Sequence, residues 1–229
     1  MYELHIANKN YSSWSLRPWL LMKALNIPFT ETTHRFQGND NAVVFQHFSP
    51  TGRVPVLYDG AMAIWDSLAI AEYLAEIHAG VWPEEYQARA WARCAAAEMH
   101  AGFTTLRTLC PMNCGIRVKL TALPPELTAD LARLDALWQQ GLAQFGGPFL
   151  AGPDFTAADA FYAPVVFRVQ SYGLPLSAAA QRWCHTMLAL PALEEWYRQA
   201  LAEEWRDEGH EAEATQYGVV IEDLRAAAR

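Results

Sequence analysis

The hydrophobic pattern of this 229-residue chain changes once, near residue 78, and that change limits the folds open to it. Before that point, short apolar segments that predict strands alternate with helices that carry one apolar face. After a break at residues 79–83, strand signals almost vanish and long segments with helical spacing follow. The pattern therefore predicts a small α/β domain over residues 1–78 and a larger, all-helical domain over residues 84–229.

The first domain is predicted to run strand, helix, strand, an irregular segment, two strands and a helix. These elements cover residues 2–7, 16–26, 28–33, 54–57, 61–64 and 66–78. Asp59-Gly60, between the last two strands, suits a tight hairpin turn. Helices of the second domain are predicted at residues 84–108, 125–144, 156–172, 177–189 and 191–206, and the tail from residue 207 is polar and only weakly helical.

The composition is that of a globular, acidic protein. Hydrophobic residues make up 52% of the chain and charged residues 18%, which is enough apolar material for a buried core. The formal net charge is −8, and such a chain lacks the basic surface that attracts nucleic acids and anionic membranes. No apolar run approaches the roughly 18 residues that span a bilayer, and the first residues do not resemble a leader peptide. We expect a soluble, cytoplasmic protein without nucleic-acid or membrane partners.

The four cysteines do not form a recognisable metal or redox motif. Cys110 and Cys114 are the one close pair, with three residues between them, whereas Cys94 and Cys184 stand alone. Redox pairs and zinc knuckles use a spacing of two residues, and a zinc site needs further ligands. We therefore predict buried or idle thiols and no metal site.

A serine cluster follows the first predicted strand. Ser12, Ser13 and Ser15 lie beside the unpaired N–H groups of a helix start, where the helix dipole favours an anion. Ordinary capping of the helix needs only one serine, which leaves Ser12 and Ser13 free to face a ligand. Pro18 lacks an N–H, so either the cap lies near Ser15 or the helix loses one hydrogen bond.

Two further segments have the residues of a peptide-binding site. Pro55 lies at the head of a predicted strand, and a cis Val54–Pro55 bond would expose the N–H and C=O of Val54 to a bound peptide. Asp66 or Ser67 would cap the next helix, or the pair would hold the ammonium and the carboxylate of an amino acid.

A fourth segment carries a structural signal. Thr156 and Asp159 have the spacing of a capping box, in which each side chain bonds the other residue's backbone N–H. We interpret this pair as part of the folding framework and not as a ligand site.

In this order, the segments resemble the cytosolic glutathione transferase family over nearly the whole chain. The resemblance implies a thioredoxin-like amino-terminal domain, a short linker and a helical domain that carries the capping box. The serine run and Arg17 are similar to serine-type, zeta-like members, in which the hydroxyl five residues before the arginine is catalytic. That hydroxyl corresponds to Ser12, with Ser13 as the alternative. The family also implies a homodimer.

The resemblance further implies where glutathione, the co-substrate, would bind. Its γ-glutamyl end would meet Asp66 and Ser67, its cysteinyl backbone would pair with Val54, and its thiol would point at Ser12. The other residues assigned to the glutathione site are Trp14, Arg17, Arg53 and Pro55. Zeta-like members have a cysteine at the position of Trp14, which this chain lacks. Omega-like and glutaredoxin-like members need a cysteine at or next to the catalytic position, and the absence of one here argues against thiol–disulfide exchange.

A small electrophile would lie between the two domains. His100, Phe103, Arg107 and Met112 are the candidates for its site, because two are apolar and Arg107 would hold a carboxylate or a developing negative charge. Alternatively, these four side chains pack within the helical domain. Three functions stay open: glutathione conjugation, a glutathione-dependent isomerisation such as that of maleylacetoacetate, and ligand binding with little catalysis.

Overall fold

A computed structural model describes residues 1–227, with Asn39 described by its backbone alone. The first part of the chain forms a four-stranded sheet with helices against it. Its elements are β1 (Tyr2–Ala7), α1 (Ser13–Ala24), β2 (Phe29–His34), α2 (Asn41–Phe45), β3 (Val56–Asp59), β4 (Met62–Trp65) and α3 (Ser67–Ala75). The strand order is β2-β1-β3-β4, in which β1 is parallel to β2, and the pairs β1–β3 and β3–β4 are antiparallel.

The central strand β1 alternates between buried and partly buried residues. Leu4 and Ile6 are fully buried, and Leu4 pairs with Leu57 of β3 in the register of the sheet. The predicted hairpin is confirmed, because Gly60 has a φ of 58° in the turn that joins β3 to β4. Glycine adopts this left-handed conformation without a steric penalty. The predicted strands and helices of residues 1–78 occur in the predicted order, but the segment expected to be irregular contains the short helix α2.

Helix α1 begins earlier than a cap at Ser15 would allow. Ser12 occupies the N-cap position, and Pro18 lies inside the helix. The expectation of a cap near Ser15 is thus wrong. Pro18 has no N–H, so the helix lacks one of its backbone hydrogen bonds. Ser15 is instead fully buried, and its Oγ accepts a hydrogen bond from the N–H of Ala7 at 3.3 Å.

The second part of the chain is mainly helical. Its elements are α4 (Tyr86–Ala101), α5 (Thr104–Leu109), β5 (Ile116–Leu120), α6 (Pro125–Phe145), α7 (Ala157–Tyr172), α8 (Ala178–Leu188), α9 (Pro191–Ala202), α10 (Glu208–Thr215) and β6 (Gly218–Asp223). Helix α7 is buried along most of its length and packs against α1, so it joins the helical part to the sheet. The predicted capping box is confirmed at its start, where the N–H of Thr156 donates to Asp159 at 3.1 Å.

The structure corrects the expectation of an all-helical second domain in two places. Strands β5 and β6 form an antiparallel ribbon, and the helix predicted over 84–108 breaks between α4 and α5. At the break, Phe103 is left-handed with a φ of 55°, and a Cβ on Gly102 would lie 2.8 Å from the carbonyl oxygen of Glu98. Glycine, which has no Cβ, is therefore needed there. The boundaries 1–78 and 84–229 stay a prediction, and Ala228 and Arg229 lie outside the described residues.

Three of the four thiols are buried. Burial raises the pKa of Cys110 and that of Cys184 to about 12, and it raises the pKa of Cys114 still further. These thiols are neutral and unreactive at neutral pH. Cys94 is exposed on α4, so the expectation of burial does not apply to it, and all four cysteines are free. Within residues 1–227, no helix is both long and apolar enough to cross a bilayer.

Candidate functional site

Two neighbouring cavities share Trp14, Arg53 and Val54 in their walls. We call them the serine cavity, of about 380 Å³, and the aspartate cavity, of about 540 Å³. The serine cavity is lined by the predicted site residues Ser12, Ser13, Trp14, Arg53, Val54, Arg107 and Met112. The aspartate cavity is lined by Trp14, Thr51, Arg53, Val54, Pro55, Trp65, Asp66 and Ser67. Residues predicted from three separate segments therefore come together.

The two candidate hydroxyls differ in their surroundings. Ser12 is buried, and its Oγ donates to Ser15 Oγ at 2.7 Å. Ser13 is half-buried, and its N–H donates to the carbonyl of Tyr11 at 2.8 Å. Both serines lie at the start of α1, where N–H groups without helical partners carry a partial positive charge. The arrangement can stabilise an anion beside either hydroxyl.

Val54 offers the pair of backbone groups that a bound peptide needs. Its N–H and C=O have no hydrogen-bond partner within residues 1–227, and the residue lines both cavities. The Val54–Pro55 bond is cis. The loop before it is held by Ser49, whose Oγ accepts from the N–H of Arg53 at 3.1 Å and donates to the carbonyl of Arg53 at 2.6 Å.

Asp66 caps α3, as the simpler of the two interpretations expects. It has a φ of 73°, and its Oδ1 accepts from the N–H of Leu68 at 2.8 Å. Its Oδ2 lies 3.4 Å from Nε2 of His100. Ser67 is buried, and its Oγ accepts from Arg17 at 3.3 Å. Capping uses one carboxylate oxygen, and both Asp66 and Ser67 line the aspartate cavity at the start of α3.

Arg17 lies behind the cavity walls and not in them. It is 1% exposed, and its guanidinium carbon lies 4.0 Å from the ring centre of Trp14 and 4.9 Å from that of Phe161. Burial lowers the pKa of Arg17 well below its ordinary value, and the charges of Arg107 and Arg168 lower it further. Its Nε is buried without a hydrogen-bond partner among the described residues. Arg17 therefore contacts two residues of the cavity walls, Trp14 and Ser67.

The four residues predicted for the electrophile separate into two pairs. Arg107 and Met112 line the serine cavity. His100 instead lies beside Asp66, with its ring 5.2 Å from that of Trp14, and Phe103 is buried against Tyr162. Phe103 lies in the break between α4 and α5, and neither it nor His100 is in the wall of either cavity. Burial lowers the pKa of His100, although Asp66 raises it in part.

More than half of the residues that line the serine cavity were not predicted from the sequence. The unpredicted residues in its wall include Tyr11, Phe36, Arg168, His210 and Glu213. Arg168 lies on α7, and His210 and Glu213 lie on α10, in the tail that was expected to be only weakly helical. The one sequence signal for Arg168 is its charge within an apolar helix, and the tail carries no comparable signal.

Two arginines, Arg107 and Arg168, give the wall of the serine cavity positive charge. Arg168 is 5% exposed and donates from Nε to the carbonyl of Cys110 at 2.9 Å. Arg107 donates to the carbonyls of Gly102 and His100 at 3.1 Å each and also to that of Met99. Neither arginine pairs with a carboxylate within the described part of the chain. Burial, together with the charge of Arg107, lowers the pKa of Arg168 to about 10.

No group of three or more His, Cys, Asp or Glu side chains in residues 1–227 is arranged to hold a metal ion. The sheet order β2-β1-β3-β4, followed by a helical part, is that of a thioredoxin-like domain joined to a helical domain.

Comparisons with known proteins agree with that class. Residues 11–77 match the family model for the glutathione S-transferase N-terminal domain, and residues 119–199 match the model for the glutathione S-transferase C-terminal domain. The chain is 29% identical to rat glutathione S-transferase theta-1 over 212 residues, which span 84% of this chain and 81% of that relative. The chain therefore belongs to the glutathione S-transferase family.

Two more comparisons describe relatives of different kinds. A Caenorhabditis elegans protein named as a probable maleylacetoacetate isomerase is 26% identical over 189 residues, which cover 79% of this chain and 85% of that protein. A glutathione transferase homologue from Burkholderia, solved with bound glutathione, has a TM-score of 0.66 at 22% identity and covers 87% of this chain and 97% of its own. The thioredoxin-like fold followed by a helical domain is thereby confirmed.

Proposed function

We propose that this protein is a glutathione transferase that binds glutathione across both cavities and joins its sulfur to a small electrophile. The observation that carries the proposal is the position of Val54. Its unpaired N–H and C=O lie in the wall shared by the two cavities, between Ser12 on one side and Asp66 and Ser67 on the other. That order matches the order of a thiol, a peptide backbone and an α-amino acid end in the tripeptide.

The γ-glutamyl end would lie in the aspartate cavity. Its α-carboxylate would meet Ser67 and the start of α3, where free N–H groups favour an anion. Its ammonium would meet Oδ2 of Asp66, the oxygen that is not used in the cap. The family model that matches residues 11–77 and the rat relative are both named for glutathione.

The thiol would lie in the serine cavity beside Ser12, with Ser13 as the alternative donor. A free thiol has a pKa of about 8.5, and lowering it by about two units needs about 2.7 kcal/mol of preference for the thiolate. A hydroxyl hydrogen bond and the start of α1 supply part of that free energy. The nearby charges of Arg107 and Arg168 act in the same direction. Ser12 would therefore donate to a thiolate and would not act as a nucleophile.

The finer features of the proposal follow the serine-type, zeta-like pattern of residues 12–17. A homodimer is supported by exposed apolar side chains on β4 and near α3, including Met62, Trp65 and Ile77. A cytoplasmic location is supported by the acidic composition.

A glutathione-dependent isomerase acting on an anionic substrate is the second candidate. The observation in its favour is the pair Arg107 and Arg168, two buried or half-buried cations that face one cavity without a carboxylate partner among residues 1–227. A desolvated cation without a counter-ion is unfavourable, so the cavity suits an anion. In this reaction the thiolate adds to an activated double bond and later leaves, and so no glutathione is consumed.

The experiment that tests the proposal compares Ser12→Ala with Ser13→Ala. The first variant should lower kcat by at least about tenfold while isothermal titration still detects glutathione binding, because one charge-assisted hydrogen bond is lost. Ser13→Ala is the matched control. Full turnover in both variants would exclude the hydroxyl assignment. Absence of glutathione binding to the unaltered protein would instead favour a binding module for other ligands.

A further inference from the structure

Helix α10 brings a histidine from the tail of the chain into the serine cavity. His210 lines that cavity together with Ser12 and Arg107. Its ring is held between two aromatic rings, with centre-to-centre distances of 5.0 Å to Tyr11 and 4.4 Å to Phe36. The imidazole is therefore fixed in position before any substrate binds.

A buried carboxylate sets the orientation of this imidazole. Oδ1 of Asp207 lies 2.7 Å from Nδ1 of His210 and also accepts from the N–H of His210 at 3.1 Å. Oδ2 of Asp207 accepts from the N–H of Gly38 at 2.9 Å. Burial raises the pKa of Asp207, but the hydrogen bonds from His210 and Gly38 outweigh burial and hold the pKa below its ordinary value. Asp207 is thus an ionised acceptor.

The hydrogen bond to Asp207 leaves one ring nitrogen for chemistry. Because Nδ1 carries the proton that is donated to the carboxylate, Nε2 is the nitrogen that exchanges protons. Nε2 has no hydrogen-bond partner within residues 1–227, and the ring lies in the cavity wall. A carboxylate, an oriented imidazole and an open Nε2 are the parts of an acid–base pair. Nothing in the proposed activation of the thiol uses them.

We propose that His210, oriented by Asp207, is the catalytic acid that protonates the product when glutathione adds to an activated carbon–carbon double bond. The inference rests on the proposed function and names the electrophile class of the same site: alkenes conjugated to a carbonyl group. Asp207 is a positioning residue in this assignment.

The step balances without a further reagent. The thiol proton has already left to water, and the thiolate forms a carbon–sulfur bond at the β-carbon. The π-electron pair moves to the α-carbon and carbonyl oxygen, and the imidazolium donates its Nε2 proton there; water then returns a proton to His210. Displacement of a halide needs no such proton, because the leaving group departs as an anion.

Several charged or titratable groups face the imidazole. Asp207 bonds it directly, and Tyr11 stacks on it with its hydroxyl donating to Glu211 at 2.6 Å. The others in the same cavity wall are Glu213 of α10, Arg53 of the loop before β3, Arg107 of α5 and Arg168 of α7. Each of these stays in place in the variants below.

The test measures two reactions on His210→Gln in the full chain. The probes are trans-4-phenyl-3-buten-2-one, which adds glutathione, and 1-chloro-2,4-dinitrobenzene, which loses chloride. The variant should lower kcat for the addition by about a hundredfold, the usual size of general acid catalysis. KM for glutathione and the rate of chloride displacement should stay within about twofold. His185→Gln, at an exposed histidine of α8, is the matched control and should change neither.

Asp207→Asn keeps the inference testable if the first variant folds poorly, because asparagine still caps α10. It should lower kcat for the addition by about tenfold, while KM for glutathione and the rate of chloride displacement stay within about twofold. If kcat falls equally in both reactions, or does not fall in the addition, His210 is not the catalytic acid. If the unaltered protein displaces chloride but does not catalyse the addition, the inference fails and the proposed function stands. If it binds no glutathione, both fail.

Discussion

The hydroxyl oxygens of Ser12 and Ser15 lie 2.7 Å apart at the start of α1, and Ser15 also accepts the N–H of Ala7 at 3.3 Å. The side chain proposed to meet the thiol is thereby joined to the end of strand β1. Ser15 is fully buried, so it serves the framework, whereas Ser12 lies in the cavity wall. Ser15 therefore holds Ser12 in place, and Ser12 is available to a ligand.

Replacing Ser15 should therefore affect stability more than turnover. Ser15→Ala leaves the buried N–H of Ala7 without its acceptor, which should lower the free energy of unfolding by about 1–3 kcal/mol. Denaturant titration measures the loss. Ser13→Ala, at a half-buried serine, should change stability by less than about 0.5 kcal/mol. Equal stabilities for the two variants would contradict the role given to Ser15.

Replacing the acidic residue of the α7 capping box should lower the free energy of unfolding by more than Ser15→Ala does. Asp159 is fully buried and accepts hydrogen bonds from the N–H groups of Leu150 at 2.9 Å and Thr156 at 3.1 Å, and from Trp183 Nε1 at 3.1 Å. Asp159→Asn points an amide donor at one of these donors and should lower the free energy of unfolding by about 2–3 kcal/mol. Asp154→Asn makes the same charge change at an exposed site and should have little effect.

The C-terminal segment should loosen in acid. Glu211 accepts from Tyr11 at 2.6 Å and from Arg225 at 2.5 Å and 2.9 Å. Burial raises the pKa of Glu211, but Arg225 and Tyr11 outweigh it and hold the pKa below its ordinary value. A lowered pKa means that the carboxylate contributes its full stabilisation above the unfolded value of about 4.3, and loses it as the pH falls through the folded value.

Glu211→Gln measures this contribution directly. At pH 7 the variant should unfold with a free energy about 1–3 kcal/mol below that of the unaltered protein, because hydrogen bonds to a charged group are lost. The difference should shrink as the pH falls below about 4. Glu222→Gln, at an exposed position of β6, is the control. A difference that stays constant down to acid pH would contradict the assignment.

The arginines in the wall of the serine cavity predict that the protein prefers substrates with a carboxylate. The test pair is trans-4-phenyl-3-buten-2-one and its derivative with a carboxylate on the phenyl ring. Arg168→Gln should reduce kcat/KM for the carboxylate by about tenfold or more, the worth of one hydrogen bond between charged groups, and leave the neutral compound nearly unchanged. Arg182→Gln, at an exposed arginine of α8, should change neither. Equal losses on both compounds would exclude Arg168 as the carboxylate contact.

The parts of the fold that were predicted correctly rest on local signals. The Asp59-Gly60 turn, the strand Tyr2–Ala7 and the capping box at Thr156 each depend on residues within one short segment. The ribbon was missed although the segment Ile116–Leu120 alternates apolar and polar residues, because its partner Gly218–Asp223 lies about a hundred positions away along the chain.

The residues of the candidate site also differ in whether a local sequence signal predicts them. Ser12, Val54 and Asp66 lie in segments whose turn and capping chemistry can be recognised in sequence. Arg168 and His210 enter the cavity only because α7 and α10 pack against the sheet domain, and no local pattern encodes that packing. Local sequence patterns therefore identified Ser12, Val54 and Asp66 and did not identify Arg168 and His210.

The most direct measurement is the titration of the bound thiol. Ultraviolet absorbance of the thiolate, followed against pH in the complex with glutathione, gives its pKa for the unaltered protein and for Ser12→Ala. The account predicts a pKa about two units below the value of about 8.5 for a free thiol, and a return most of the way to that value in the variant. A bound thiol that titrates like free glutathione in the unaltered protein would contradict it.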